Sequence, residues 1–373
     1  MRFSIIIQNN KVKTSLWLFI GSNFLFFAGK YPDFVEKWYA VGFYPLYSKM
    51  TRFIVGWIDF SVGDLLYTIL GAWILIKLIQ LIIAVYRNQF GRVFCINKIG
   101  SIFRMICVVY IVFNLSWGLN YHRQGIAHQL TIENNQYSKE DIASITNDLI
   151  EQANYYRKAI GTNELPSYSL EAIKKEAILS YQMAKVNFPF LDYQGTSIKT
   201  SSYNSMADYI GFTGYYNPFT GEAQIRTDMP SILLPFTTCH EIAHQLGYAS
   251  ESEANFVGFL TATSSNNIYF KYAAYLEMLN YALNQEFILF SKNANFKALE
   301  TIIQYNKSHI DTLVKKDRKD IRQFFMNRIN KIAPVSADLY DQYLKLNKQL
   351  TGINSYDEVI GWLIAYKRKR GKL

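Results

Sequence analysis

The chain has 373 residues, half of them hydrophobic and 16% aromatic, and 39 Lys and Arg against 29 Asp and Glu leave a formal charge of +10. Three scattered cysteines, Cys95, Cys107 and Cys239, exclude a disulfide framework and, with no CxxC pair, a cysteine-based zinc site. The apolar residues crowd into the first 120 positions, which excludes an ordinary soluble chain, while the remaining roughly 250 residues suffice for one sizeable core.

Three stretches carry that apolar excess: TSLWLFIGSNFLFFAG from Thr14, LLYTILGAWILIKLIQLIIAVY from Leu65 and MICVVYIVFNLSWGLNY from Met105. A crossing takes about 20 mostly apolar residues. The stretches therefore predict a membrane domain, residues 1–118, with three transmembrane helices over about 14–30, 65–86 and 103–121. Phe26 and Phe27 before Ala28 offer no small-x-small cleavage pattern, so the first stretch reads as an uncleaved anchor. Lys77 inside the second reads as a side chain that snorkels to the interface.

The flank holding Arg2, Lys11 and Lys13 and the link holding Arg87, Arg92, Lys98 and Arg104 carry no acid. Lysine and arginine favour the cytoplasmic side, so residues 119–373 are expected outside the cytoplasm. That location argues against a nucleic-acid partner. The basic tail, Lys367–Lys372, reads as solvated or as a contact to anionic headgroups.

After the third stretch the pattern turns to helices with a small β element. Ser138 and Asp141 form a capping pattern ahead of Ile142, Ile145, Leu149 and Ala153 at helical spacing. SLEAIKKEAILSYQMAKVNFP predicts a second helix stopped by Pro189. NPFTG is a turn signal, and EAQIRT after it alternates as a strand, which predicts a hairpin. Further helices are expected over 251–263, 267–291, 294–305, 308–331 and 354–368.

The chemistry concentrates in CHEIAHQLGYASESEAN, Cys239–Asn255. His240 and His244, one turn apart on a helix face, can bind one zinc ion, and Glu241 beside them can act as base toward a water molecule. Gly247 is placed for a left-handed helix stop, and Ser250 with Glu253 for the cap of a second helix folding back. A carboxylate on its first turn, Glu251 or Glu253, then supplies the third ligand. His122, His128 and His309 have no metal-like neighbours in the sequence.

Glu251-Ser252-Glu253-Ala254-Asn255 resembles the E-x-x-A-D element of gluzincin metallopeptidases, in which the Glu binds zinc and the acid four residues on orients a histidine ligand. The resemblance makes Glu251 the ligand and gives the orienting place to Asn255, a neutral residue here. Over most of the chain, FSVGDLLY, WGLNYHRQG, GFTGYYNPFTGEAQIRTDMP and CHEIAHQLGYASESEANFVGFL resemble the bacterial membrane family called domain of unknown function 3810. This implies a zincin-like α+β domain, mainly α with a small hairpin or sheet, behind three membrane helices in the cytoplasmic (inner) membrane. The implied activity is a zinc-dependent peptidase acting on peptides or proteins of the cell envelope. By the same resemblance, Glu222, Ala223, Gln224, Ile225 and Arg226 are the candidate substrate-pairing strand, with a plain core hairpin as the alternative, and Tyr215 and Tyr216 are candidate oxyanion donors. The alternatives are a non-catalytic zincin-like domain that binds a peptide or partner, and an amidase acting on cell-wall peptide bonds. The sequence leaves the oligomeric state open.

Overall fold

The computed structural model describes residues 2–87, 91–133, 136–161, 164–291, 296–347, 349, 352 and 358–373. It is mainly helical, with one three-stranded sheet. The N-terminal part comprises α1 (Arg2–Ala28), α2 (Pro32–Phe34), a π-helical stretch (Val35–Phe43), α3 (Tyr44–Val55), α4 (Val62–Tyr86) and α5 (Arg92–Ser116). α4 and the Phe94–Ser116 part of α5 are long and apolar enough to cross a membrane. A third crossing results if Asn10–Ala28 and Pro32–Val55, bent by 100°, count as one span.

The third expected span is displaced. α5 starts at Arg92 and stops at Ser116, so Lys98 and Arg104 lie on the helix, and residues 117–121 are not part of it. Trp117 and Leu119 are instead buried around the tight turn Gly118–His122, packed in a cluster with Tyr39 and Tyr44. Aromatic packing against protein takes those apolar residues away from lipid. Residues 88–90 of the basic link lie outside the described residues.

The second part begins with α6 (Gly125–Leu130), α7 (Lys139–Ile160) and α8 (Leu170–Asn187). The expected capping box is present: Asp141 N donates to Ser138 Oγ at 3.2 Å and Ser138 N to Asp141 Oδ2 at 2.8 Å. Then come β1 (Ile198–Thr200), α9 (Ala207–Ile210), β2 (Gly214–Asn217) and β3 (Glu222–Ile225). β2 and β3 form the expected antiparallel hairpin, and β1, not expected, adds in parallel, giving the order β1-β3-β2.

The chain closes with α10 (Leu234–Gln245), α11 (Glu251–Ser264), α12 (Ile268–Ser291), α13 (Phe296–His309), α14 (Thr312–Met326), α15 (Ala333–Leu346) and α16 (Val359–Arg370). α14 stops short of the expected 331, and α15 was not expected at all. Of the expected helices, positions 294, 295 and 354–357 lie outside the described residues. The main core joins Leu149 of α7, Ala177 of α8, Ile242 of α10, Phe256 of α11, Leu276 of α12 and Leu363 of α16, all buried. Each of these Leu, Ile and Phe side chains stabilises the fold by about 1.5–3 kcal/mol. All three cysteines are free thiols, with Cys107 and Cys239 buried.

The expected boundary at 118/119 is not a packing boundary. Tyr44, Ser48 and Arg52 share one face of α3, four residues apart, and all three reach the C-terminal carbonyls of α10. Tyr44 Oη donates to His244 O at 3.3 Å and Gln245 O at 3.2 Å, Ser48 Oγ to Gln245 O at 2.7 Å and Arg52 Nη1 to Gln245 O at 3.0 Å. The last carbonyls of a helix lack partners within it and carry partial negative charge, so a buried guanidinium suits the place. Arg52 also donates to the carbonyls of Gln194 and Gly195. Arg52→Ala takes this donor from the Gln194 and Gly195 carbonyls, while Gln245 O keeps Tyr44 and Ser48. It is expected to cost about 3 kcal/mol, read as a lower melting temperature of the full-length protein by differential scanning fluorimetry.

The sheet is tied to α4 as closely. Glu222 of β3 accepts from the N–H groups of Val62 and Gly63 at the start of that helix. Asp64 accepts from Tyr215 Oη at 2.7 Å and Ser202 N at 2.7 Å.

Candidate metal centre

α10 brings His240 and His244 to one face, ring centroids 4.7 Å apart. The helix ends at Gln245, whose side chain is fixed by Tyr193 Oη and the carbonyls of Ser197 and Gly221. Gly247 then takes φ +89°, a conformation that favours glycine, and the chain turns back into α11. This reversal delivers Glu251. Its Oε2 lies 3.2 Å from His240 Nε2 and 3.4 Å from His244 Nε2. Zinc bonds of about 2.0–2.1 Å in tetrahedral array put neighbouring ligand atoms about 3.3 Å apart, so the three donors fit one ion. Glu251 Oε2 is buried, and among the described residues its near neighbours are these two imidazoles.

The outer contacts fix the ligands. His244 Nδ1 lies 2.7 Å from the Tyr248 carbonyl, which places the proton on Nδ1 and leaves Nε2 for a metal. Tyr340 Oη donates to Glu251 Oε1 at 2.9 Å. The Asn255 side chain is a hydrogen-bond partner of His240 that favours its charged form. Trp117 stands edge-on to His244, centroids 5.9 Å apart.

Burial dominates the electrostatics. It lowers the pKa of His240. Burial would raise Glu251, but the charge on His244 and the closeness of both imidazoles hold its carboxyl well below the usual range. For His244 burial opposes the charged ring, yet Glu251 raises it to about 9. Burial pushes Glu241 up to about 8. A dication between the histidines reverses that trend and favours the carboxylate.

Glu241 points away from the donor triad toward β2. A Cβ on Gly214 would fall 2.6 Å from Glu241 Oε1, so a side chain here would make the Glu241 carboxylate shift. Glu241 Oε2 is buried without a hydrogen-bond partner among the described residues. Both residues line a cleft of about 630 Å³. Gly211 to Tyr215, Asn255, Glu277, Asn280, Tyr67 and Tyr340 are among its lining residues.

Three expectations are corrected here. Glu253 does not cap α11 through Ser250, whose side chain accepts no cap bond. Its Oε1 accepts from Ile126 N at 2.8 Å instead, because α6 packs over that turn. The Glu222–Arg226 strand cannot pair with substrate: β3 is central, its edges are taken by β1 and β2, and its side chains are buried. Glu222 serves the start of α4, and Arg226 pairs with Asp208 and Asp228. Tyr215 and Tyr216 have other tasks, since their hydroxyls bond Asp64 and Tyr44.

Of the other histidines, His122 Nδ1 bonds the Gly29 carbonyl and His309 Nδ1 that of Tyr305. Sequence reasoning missed Tyr340 because α15 went unrecognised; Pro334 at its second position was the available signal.

A family model described as "Protein of unknown function (DUF3810)" matches residues 39–364. No curated protein and no solved structure matches the chain.

Proposed function

We propose that this chain, which belongs to the DUF3810 family, is a membrane-anchored zinc-dependent peptidase whose catalytic part, of zincin type, lies on the outer side of a bacterial cytoplasmic membrane. The observation that carries the reading is the convergence of His240, His244 and Glu251, three buried donors mutually within 4.8 Å, beside a cleft that also holds Glu241. Bound there, zinc supplies Lewis acidity and brings the pKa of a water to around 7.

The chain's own residues do the rest. Glu241, held over Gly214, takes the proton of the attacking water and returns it to the leaving amine. Tyr340 and the Tyr248 carbonyl keep Glu251 and His244 in position. β2 is the strand with a free edge beside the cleft. Thr213 O accepts from Arg226 N across the hairpin, so by alternation the N–H and C=O of Gly214 face away from β3. An extended peptide added to that edge runs past Glu241, and main-chain pairing holds it.

The test is metal analysis of the purified full-length protein together with cleavage of a peptide library. One zinc per chain and chelator-sensitive cleavage are expected. Zinc without any cleavage would leave the peptide-binding alternative in its place. Two variants probe the parts. Asn255→Leu is expected to lower zinc affinity or turnover about 10–100-fold, with Asn255→Asp tolerated, by competition with a zinc-sensitive dye. Gly214→Ala displaces the Glu241 carboxylate and is expected to lower kcat about 10²-fold at unchanged zinc content, by steady-state kinetics.

A further inference from the structure

The chain after α14 leaves an apolar stripe uncovered. Ile329, Ile332, Val335 and Leu339 recur three or four residues apart and are 56–69% exposed. Tyr209 and Ile210 of α9 are nearly half exposed as well. The two pieces form one surface. Asn330 Nδ2 donates to the Asp208 carbonyl at 2.7 Å, Arg328 pairs with Asp208 at 3.6 Å, and α15 packs on α9. A contiguous exposed patch of this kind calls for a cover.

The neighbouring helix identifies the cover. Tyr203, just ahead of α9, bonds Thr68 Oγ1 at 2.8 Å and donates to the Asp64 carbonyl at 2.8 Å, both on α4. Tyr67 of α4 lines the same cleft as Ile210, Phe325 and Tyr340. α4 is one of the two helices fit to cross a membrane alone among the described residues. Tyr67 lies only about 7.5 Å along its axis from the first residue. Directly beyond it Ile69, Leu70, Trp73 and Ile74 are exposed, as side chains facing lipid would be. The stripe therefore stands beside the first turns of a helix whose remainder suits hydrocarbon. Tyr209 of α9 and Tyr343, one turn after Leu339 on α15, are partly exposed, and Lys331 is exposed within the stripe. Aromatic rings and basic residues around an apolar face are the composition of an interfacial element.

We propose that α9 and the 329–339 stripe bed in the lipid at the N-terminal end of α4, so that the cleft of the metal centre opens at the membrane surface. On the peptidase reading, the polypeptides admitted are those held at that surface. The lipid contact itself stands or falls without that reading, because its test involves no catalysis.

The experiment uses the full-length protein with Cys95→Ser, Cys107→Ala and Cys239→Ala, reconstituted in nanodiscs of phosphatidylethanolamine and phosphatidylglycerol. Single cysteines introduced by Val335→Cys or Leu339→Cys carry an NBD fluorophore. Ile82→Cys on α4 serves as the lipid control, and Tyr155→Cys, exposed on α7, as the water control. The 335 and 339 positions are exposed, so the labels leave the core intact. Nitroxide-bearing lipids are expected to quench both several-fold more than position 155 and nearly as much as position 82, with a blue-shifted emission. Quenching no greater than at position 155 overturns the proposal. If aqueous iodide is also excluded there, a protein partner or a second copy covers the stripe; if iodide quenches freely, the stripe faces water.

Discussion

Glu241→Gln is expected to lower peptide hydrolysis about 10²–10⁴-fold, the usual worth of a general base, while zinc stays at one ion per chain. The amide matches the carboxylate in shape, so it fits the same close space over Gly214. It cannot accept the proton of the attacking water. Zinc should remain because Glu241 is not one of the three converging donors, which are His240, His244 and Glu251. The carboxylate is also a liability when the metal is absent. Burial pushes its pKa up to about 8, and replacing a buried ionisable group by a neutral one removes that cost. Melting temperature in chelator should therefore not fall in the variant. Inductively coupled plasma spectrometry and initial rates on one preparation decide the matter. Zinc lost along with activity would make Glu241 a ligand; activity retained would remove it as the base.

The local pattern carried the centre of this protein and little of its frame. HEIAH at one-turn spacing, Gly247 as a left-handed stop and Glu251 on the next helix were readable because helix period and turn chemistry are local. The capping box at Ser138 and Asp141 was readable for the same reason. What escaped was long-range. Nothing near EAQIRT says that residues 198–200 will pair with its far edge and so make it the central strand. Nothing near Tyr44, Ser48 and Arg52 says that the carbonyls they serve lie about two hundred residues on. Those three look like part of a linker between membrane spans, and only their four-residue spacing hints at a common face. Trp117 read as membrane because it is apolar, yet its partners are Tyr216 and His244. Hydropathy cannot tell a protein cover from a lipid one.

Glu251→Ala is expected to strip the protein of zinc, and Glu253→Ala to keep it. Two residues apart on α11, the carboxylates point about 200° from each other, so one ion cannot use both. Glu251 Oε2 stands within 3.4 Å of both imidazole Nε2 atoms. Without it two histidines remain, which is short of the three protein ligands of a catalytic zinc site, and hydrolysis should vanish with the metal. Glu253 faces the other way. Its Oε1 accepts from Ile126 N and lies where a Cβ on Gly125 would have to be. Removing it orphans that N–H and opens a gap beneath α6, at a cost of about 1–3 kcal/mol. The Glu253→Ala protein should thus melt lower and still bind one zinc. Tyr340 gives an independent check, since its hydroxyl donates to Glu251 Oε1. Tyr340→Phe should weaken zinc binding in the wild-type background and change nothing further once Glu251 is alanine. Zinc titration of the two alanine variants, with and without Tyr340→Phe, therefore reads the ligand directly. A zinc-free Glu253→Ala beside a zinc-replete Glu251→Ala would exchange the two roles.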